Sequence, residues 1–79
     1  MNAPQAIQNI RAAIDAAPRN HQTVELHVQM IKYADTFRNL SGREFCDMLG
    51  ISDKYGTEFN KMRKIAVRLR TADLNPDKI

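Results

Sequence analysis

Apolar residues recur every three or four positions along most of this chain, a spacing that predicts α-helices rather than strands. The pattern falls into four stretches, at about residues 4–17, 23–40, 41–49 and 52–72. Residues 73–79 contain Asn75-Pro76, which ends any helix, and this short polar segment is expected to form a flexible tail. The predicted fold class is therefore all-α, with four helices in a single domain of 79 residues.

The second stretch is the most apolar part of the chain. Its polar residues recur at alternating spacings of four and three, which predicts a single solvent-facing stripe. The stripe consists of Glu25, Gln29, Lys32, Thr36 and Asn39. A helix that is apolar around the rest of its circumference is buried on several sides, so we expect this one to start at an N-cap on Thr23 and to form the centre of the core. Burial of Phe37 should contribute roughly 1.5–3 kcal/mol, so alanine at this position is expected to threaten the fold.

The segment from Leu40 to Lys64 carries the signals of a short helix, a tight turn and a second helix. Ser41 and Glu44 have the spacing of a capping box, in which each side chain accepts a hydrogen bond from the other residue's backbone amide. Gly50 is expected to end the first helix, because glycine adopts the left-handed conformation without steric cost. Ser52 is a second N-cap candidate, and the helical pattern continues from there. This layout predicts a helix-turn-helix unit.

The second helix of this unit is basic on one side. Residues 52–72 contain six lysines and arginines but only two acidic residues, whereas the whole chain has a net charge of only +3. At about 100° per residue, the apolar side chains of this helix form one stripe and polar side chains fill the opposite arc. The polar arc consists of Lys54, Thr57, Asn60, Lys61, Lys64 and Arg68.

These side chains suit contact with double-stranded DNA. The candidates for neutralising phosphates are Lys61, Lys64 and Arg68, together with Arg43 on the preceding helix. The candidates for reading base edges lie nearer the start of the second helix and are Lys54, Thr57, Glu58, Asn60 and Lys61. Asn60 has the geometry to pair with adenine, and Glu58 to accept a hydrogen bond from cytosine. The alternative interpretation is a solvated basic face on an ordinary helix.

The stretch S-G-R-E-F-C-D-M-L-G-I-S (41–52) resembles the first helix and turn of bacterial helix-turn-helix regulators. In that family a small residue lies four positions before the turn glycine, apolar residues flank the glycine, and a later apolar residue anchors the second helix. The corresponding residues here are Cys46, Gly50, Leu49, Ile51 and Phe59. The stretches I-K-Y-A-D (31–35) and Y-G-T-E (55–58) make the whole chain similar to short bacterial proteins with an HTH-like domain. The resemblance implies an all-α fold and DNA binding through the basic helix.

Gly56 departs from the pattern of that family, which usually has Val or Ile at this position, facing the first helix. Glycine inside a helix costs about 1 kcal/mol relative to alanine. Either the two helices approach unusually closely at Gly56, or the turn extends this far and the second helix begins at Thr57 as its N-cap. The choice decides which side chains would point into a DNA groove.

Other chemistry has little support in the residue pattern. His21, His27 and Cys46 lack the tight spacing of a zinc site, so no metal or other cofactor is expected. We expect His27 to be packed and hydrogen-bonded, and Cys46 to be an inert packed thiol rather than a nucleophile. No enzyme signature occurs, and no apolar run approaches the roughly 20 residues of a membrane span. A single cysteine and an N-terminus without a signal-peptide pattern favour a cytoplasmic protein.

Two functional hypotheses follow from these features. The first is a DNA-binding transcriptional regulator of bacterial or mobile-element type that acts as a homodimer, with the dimer contact on the first helix or on exposed parts of the second. Tyr33, Phe37 and Tyr55 do not interleave with the basic residues, which favours double-stranded over single-stranded nucleic acid. The alternative is a helix-turn-helix-fold protein-interaction module, such as an inhibitor, antitoxin-like adaptor or antiactivator, which binds another protein. Asp53 and Glu58 near the start of the second helix favour this alternative.

Overall fold

The computed structural model describes residues 2–79 and contains four α-helices joined by short turns. These helices are α1 (Ala3–Ala16), α2 (Gln22–Lys32), α3 (Gly42–Leu49) and α4 (Tyr55–Thr71). Short 3-10 turns lie at Arg19–His21 and Pro76–Lys78. Residues 2–79 include no strand, so the predicted all-α class with a helix-turn-helix unit is confirmed.

Helix α1 begins with a side-chain cap and buries the apolar face that its spacing predicts. The Asn2 side chain accepts a hydrogen bond from the Gln5 amide at 2.9 Å. Pro4 lies in the first turn, where its missing amide hydrogen has no helical partner to lose. Ala6 and Ile10 are fully buried, and the helix packs against α2 and α3.

Helix α2 is much shorter than the helix predicted over residues 23–40. It ends at Lys32, and residues 33–40 form a series of turns, which we call the turn segment. Three of its amides donate to carbonyls only three residues back: Ala34 to Ile31 at 3.3 Å, Arg38 to Asp35 at 3.3 Å and Leu40 to Phe37 at 2.9 Å. Further along this segment, the carbonyls of Phe37, Arg38 and Leu40 accept hydrogen bonds from the Arg63 side chain of α4 instead of from a further helical turn.

The predicted polar stripe and N-cap of this helix also require correction. Gln29 is buried, and its side-chain amide donates to Glu25 Oε2 at 2.7 Å, whereas the apolar Val24 is 57% exposed. Gln29 is covered because α2 packs against α1, α4 and the C-terminal 3-10 turn, whereas Asn39 at the end of the predicted stripe is exposed. His21 rather than Thr23 occupies the N-cap position, and its side chain makes no capping hydrogen bond.

Three phenylalanines join the turn segment, α3 and α4 at the centre of the core. Phe37, Phe45 and Phe59 are all fully buried. The rings of Phe45 and Phe59 stack at 4.2 Å between centroids, and Phe37 meets Phe45 edge-on at 5.3 Å. Phe37 is therefore buried as predicted, although it belongs to a turn rather than to a helix.

The C-terminal residues contact α2. Asn75 caps the last 3-10 turn by accepting a hydrogen bond from the Asp77 amide at 2.9 Å, and Lys32 Nζ donates to the Ile79 carbonyl at 2.6 Å. The flexibility expected for residues 73–79 stays a prediction. Within residues 2–79, no helix combines the length and apolarity needed to span a bilayer.

Candidate nucleic-acid interface

Helix α3 starts with the capping box predicted from Ser41 and Glu44. The Glu44 amide donates to Ser41 Oγ at 3.1 Å, and the Ser41 amide donates to Glu44 Oε1 at 2.9 Å. The backbone hydrogen bond from Ser41, followed by that of its side chain, lowers the pKa of Glu44 because both favour the carboxylate. The negative charge of Glu44 also lies at the positive end of the helix dipole. Interactions between residues close in sequence therefore stabilise the start of α3.

Gly50 ends α3 in the left-handed conformation, with φ at 77°. The amides of Gly50 and Ile51 both donate to the Cys46 carbonyl, at 2.8 and 3.0 Å, and close the last turn of the helix. Helix α4 begins at Tyr55, three residues later than predicted. The Ser52 side chain accepts a hydrogen bond from the Lys54 amide at 3.4 Å, as a cap would, but it closes a turn at residues 53 and 54, and Lys54 occupies the N-cap position of α4 itself.

Gly56 lies inside α4 and packs directly on Gly42 of α3. A Cβ atom on Gly42 would lie 2.6 Å from the Gly56 carbonyl oxygen, and one on Gly56 would lie 3.3 Å from the Gly42 carbonyl carbon. Of the two alternatives left open by the sequence, the structure therefore has the close helix approach. Thr57 is not an N-cap but a residue within the first turns of α4.

The arc of α4 predicted to be polar faces solvent. All six of its members, Lys54, Thr57, Asn60, Lys61, Lys64 and Arg68, are exposed. Among residues 2–79, no side-chain hydrogen bond or ion pair restrains Lys61, Lys64 or Arg68. These three cations remain free to meet an anionic ligand.

Two other arginines of α4 contact the protein instead. Arg63 Nη1 donates to the carbonyls of Phe37 at 3.1 Å and Leu40 at 2.7 Å, and its guanidinium lies 4.2 Å from the centre of the Phe59 ring. Arg70 forms an ion pair with Asp35. Both contribute to the positive charge of residues 52–72, but neither belongs to the predicted polar arc. Their positions four residues after the buried Phe59 and Ala66 place them at the edge of the core-facing side, which is the signal that distinguishes them.

Arg43 and Lys54 lie near the connection between the two helices. Arg43 Nε is 3.8 Å from Asp53 Oδ2, and both side chains are largely exposed, so this ion pair restrains Arg43 only weakly. Lys54 Nζ lies 5.1 Å from the centre of the Tyr55 ring. Both cations therefore remain accessible at the end of α4 where base-reading side chains were predicted.

Glu58 points towards α2 rather than away from the domain. Its Oε2 lies 3.6 Å from His27 Nε2, beyond a normal hydrogen bond. His27 Nε2 is buried and has no hydrogen-bond partner among residues 2–79, so the expectation of a packed histidine holds but that of a hydrogen-bonded one does not. The packing of α2 against α4 brings these two side chains together.

Asn60 is exposed, but its amide oxygen accepts a hydrogen bond from Arg63 Nη2 at 2.7 Å. Bidentate pairing with adenine uses both the oxygen and the nitrogen of the amide, and the bond from Arg63 occupies one of the two lone pairs of that oxygen. The structure therefore places Asn60 on the predicted face while giving it a role in orienting Arg63.

Cys46 is fully buried between α3 and the core. Burial, with smaller contributions from the charges of Asp53 and Asp47, raises the pKa of its thiol. A raised pKa reduces the thiolate fraction at neutral pH, which fits a packed rather than a reactive cysteine. In the described part of the chain, no three His, Cys, Asp or Glu residues cluster as metal ligands.

The capped α3, the Gly50 turn and the exposed polar arc of α4 define a helix-turn-helix protein with a single all-α domain. A family model described as an HTH-like domain matches residues 2–72, and the chain belongs to this family. Searches of curated proteins and of solved structures found no match.

Proposed function

We propose that this protein is a DNA-binding transcriptional regulator that contacts double-stranded DNA through α4. The observation that carries this proposal is the group of three unpaired cations, Lys61, Lys64 and Arg68, on the solvent-facing arc of the second helix. DNA affinity depends largely on neutralising phosphates, and cations that are already paired within the protein contribute little to it. We refer to Lys61, Lys64 and Arg68 as the basic arc.

The other residues predicted to contact DNA are assigned to phosphates or to base edges by their positions relative to the basic arc. Arg43 would meet a phosphate beside α3, while Lys54 and Thr57 at the start of α4 would reach base edges. Asn60 would contribute through its side-chain nitrogen and the lone pair of its oxygen that Arg63 does not use. Glu58 is the weakest candidate for base contact, because its carboxylate lies beside His27.

The regulator would act as a homodimer. One domain of this size offers a small DNA interface, and two half-sites supply the affinity and specificity that one cannot. Val24 on α2 is 57% exposed, and an apolar side chain of this kind suits burial in a dimer contact. Sedimentation analysis of the wild type and of Val24→Asp tests this arrangement, with a dimer expected only for the wild type.

The DNA-binding proposal is tested by titrating a fluorescently labelled duplex of random sequence at several salt concentrations. Wild-type binding should weaken steeply with salt because counterions are released from the phosphates. Lys61→Ala combined with Arg68→Ala should reduce the slope of log affinity against log salt by about 2 while leaving the fold intact.

The matched control removes two positive charges from outside α4. Arg19→Ala combined with Lys78→Ala deletes two exposed cations that lie outside α4 and should leave the salt slope nearly unchanged. An equal reduction of the salt slope in both double variants would show that only net charge matters, and it would contradict a specific role for the basic arc. Absence of binding at low salt would contradict DNA binding altogether.

A protein-interaction module is the second candidate, and one observation favours it. Val67 and Ile65 of α4 are apolar yet 69% and 44% exposed, which is unusual for a helix that contacts only phosphates and base edges. Under either candidate we expect a cytoplasmic protein of bacterial or mobile-element type.

A further inference from the structure

A cleft of about 440 Å³ lies between the turn segment and the C-terminal half of α4, beside the basic arc. Its volume falls within the range of about 300–1,000 Å³ that is typical of small-molecule sites. The walls come from residues distant in sequence, with Ala34 and Arg38 on one side and Lys64 and Val67 on the other.

The inner surface of the cleft is apolar. Ala34 and Ala66 are buried beneath it, whereas Val67 is 69% exposed and forms part of its wall. An exposed valine beside two buried alanines is an apolar surface without a partner among residues 2–79. A hydrocarbon chain or ring lying there would remove Val67 from water, and this burial of apolar surface would favour binding.

The rim of the cleft is cationic. Arg63 and Arg70 also line it, but Arg63 is committed to backbone carbonyls and Arg70 is paired with Asp35. The side chains of Arg38 and Lys64 have no hydrogen bond or ion pair with the described residues. The pairing of Asp35 leaves no uncompensated negative charge in the cleft, so the net field at the rim is positive.

We propose that this cleft binds an organic anion, a carboxylate carried on an apolar chain or ring. The carboxylate would accept charge-assisted hydrogen bonds from Arg38 and Lys64, and the apolar part would cover Val67. Arg63 would not touch the ligand but would position the site, because its bonds to the Phe37 and Leu40 carbonyls hold the turn segment against α4.

The site has a consequence for regulation that rests on the proposed function. Lys64 belongs both to the cleft and to the basic arc, so a carboxylate bound to it would compete with a DNA phosphate. An organic anion in the cleft is therefore expected to weaken DNA binding. The binding of the anion itself does not depend on DNA and is tested on the free protein.

Octanoate is the probe, and a series of two-dimensional ¹H–¹⁵N NMR spectra of the full chain is the readout. Octanoate should produce saturable shifts centred on the amides of Ala34, Arg38 and Val67. Acetate tests the carboxylate without the chain and octan-1-ol the chain without the charge, and both should bind at least roughly fivefold more weakly. Equal binding of octanoate and octan-1-ol, or shifts centred elsewhere, would overturn the proposal.

Two variants assign the contacts. Arg38→Ala should weaken octanoate binding roughly fivefold while preserving the fold, because Arg63 contacts only the backbone carbonyl of residue 38. Val67→Ser should also weaken it by removing the apolar wall. The control is Lys61→Ala combined with Arg68→Ala, which should bind octanoate like the wild type. Unchanged affinity in Arg38→Ala would exclude this cleft as the site.

A separate titration distinguishes the regulatory consequence from the site. Octanoate should release random-sequence duplex from the wild type more effectively than from Arg38→Ala. Failure of the wild type to bind DNA would contradict the proposed function and leave the octanoate result standing. Binding of octanoate without release of DNA would contradict the competition through Lys64.

Discussion

Gly42 and Gly56 bring the backbones of α3 and α4 into direct contact. The Cβ of an alanine at position 42 would lie 2.6 Å from the Gly56 carbonyl oxygen and 2.8 Å from its Cα, closer than unstrained atoms approach. Both neighbours are backbone atoms, so no flexible side chain can move aside. The spacing between the two helices of the helix-turn-helix unit is therefore set by two residues without side chains.

Gly42→Ala should destabilise the protein by roughly 1–3 kcal/mol, the range observed for overpacked interiors. Gly56→Ala should cost less, because its Cβ would lie 3.3 Å from the nearest atom and alanine gains about 1 kcal/mol of helix propensity. Urea denaturation of both variants measures the difference. A Gly42→Ala protein as stable as the wild type would show that α3 and α4 can separate freely.

Arg63→Lys should destabilise the protein by roughly 2 kcal/mol, although it preserves the charge. A lysine ammonium cannot reproduce the planar guanidinium that lies over Phe59 while donating to the Phe37 and Leu40 carbonyls, and these would lose a partner. Thermal melting is the measurement, with Lys64→Arg as the control because Lys64 is exposed and unpaired. Equal melting temperatures for both variants would contradict a structural role for Arg63.

Ser41→Ala should cost about 1 kcal/mol by removing the side-chain half of the capping box. Chemical denaturation at neutral pH measures this loss directly. Asp47→Ala on the same helix is the control, since Asp47 is exposed and outside the cap. A loss no larger than that of the control would show that the cap is unimportant to stability.

The same capping box should make the stability of the protein depend on pH, and the direction of the pKa shift of Glu44 gives the sign. The pKa of Glu44 is lower in the folded protein, so its contribution to stability is present above the unfolded pKa of about 4.3 and is lost as pH falls through the folded value. Glu44→Gln keeps an acceptor for the Ser41 amide but carries no charge. Its stability should therefore decline less than that of the wild type on acidification. If the free energy of unfolding changed with pH in the same way for both proteins, this contribution of Glu44 would be refuted.

Glu58→Gln should raise the affinity for random-sequence DNA by roughly twofold, because it removes a negative charge beside the basic arc. The carboxylate lies near His27 and is not expected to read a base. Anisotropy titration with random and with selected duplexes is the measurement. Loss of a cytosine preference, with unchanged affinity for random DNA, would restore Glu58 as a base-reading residue.

Local signals predicted the helix-turn-helix unit well. Ser41, Glu44 and Gly50 act through hydrogen bonds to residues within five positions, and such bonds follow from the order of residues alone. The exposed arc of α4 was equally predictable, because helical periodicity places its members opposite Phe59 and Ala66. Periodicity does not show which cations find partners, so the pairing of Arg63 with backbone carbonyls and of Arg70 with Asp35 could not be predicted from it.

The sequence by itself determined that the chain is helical, where α3 begins and ends, and which face of α4 meets water, because each depends on neighbours in the chain. The tertiary structure decided where α2 ends and which cations stay free. Arg63 meets the Leu40 carbonyl across 23 residues, and Arg70 meets Asp35 across 35. Tertiary packing also decided between the two roles of Gly56, because only the contact with Gly42 shows how closely the helices approach. Such contacts depend on how helices pack in space, which no periodicity of one segment specifies.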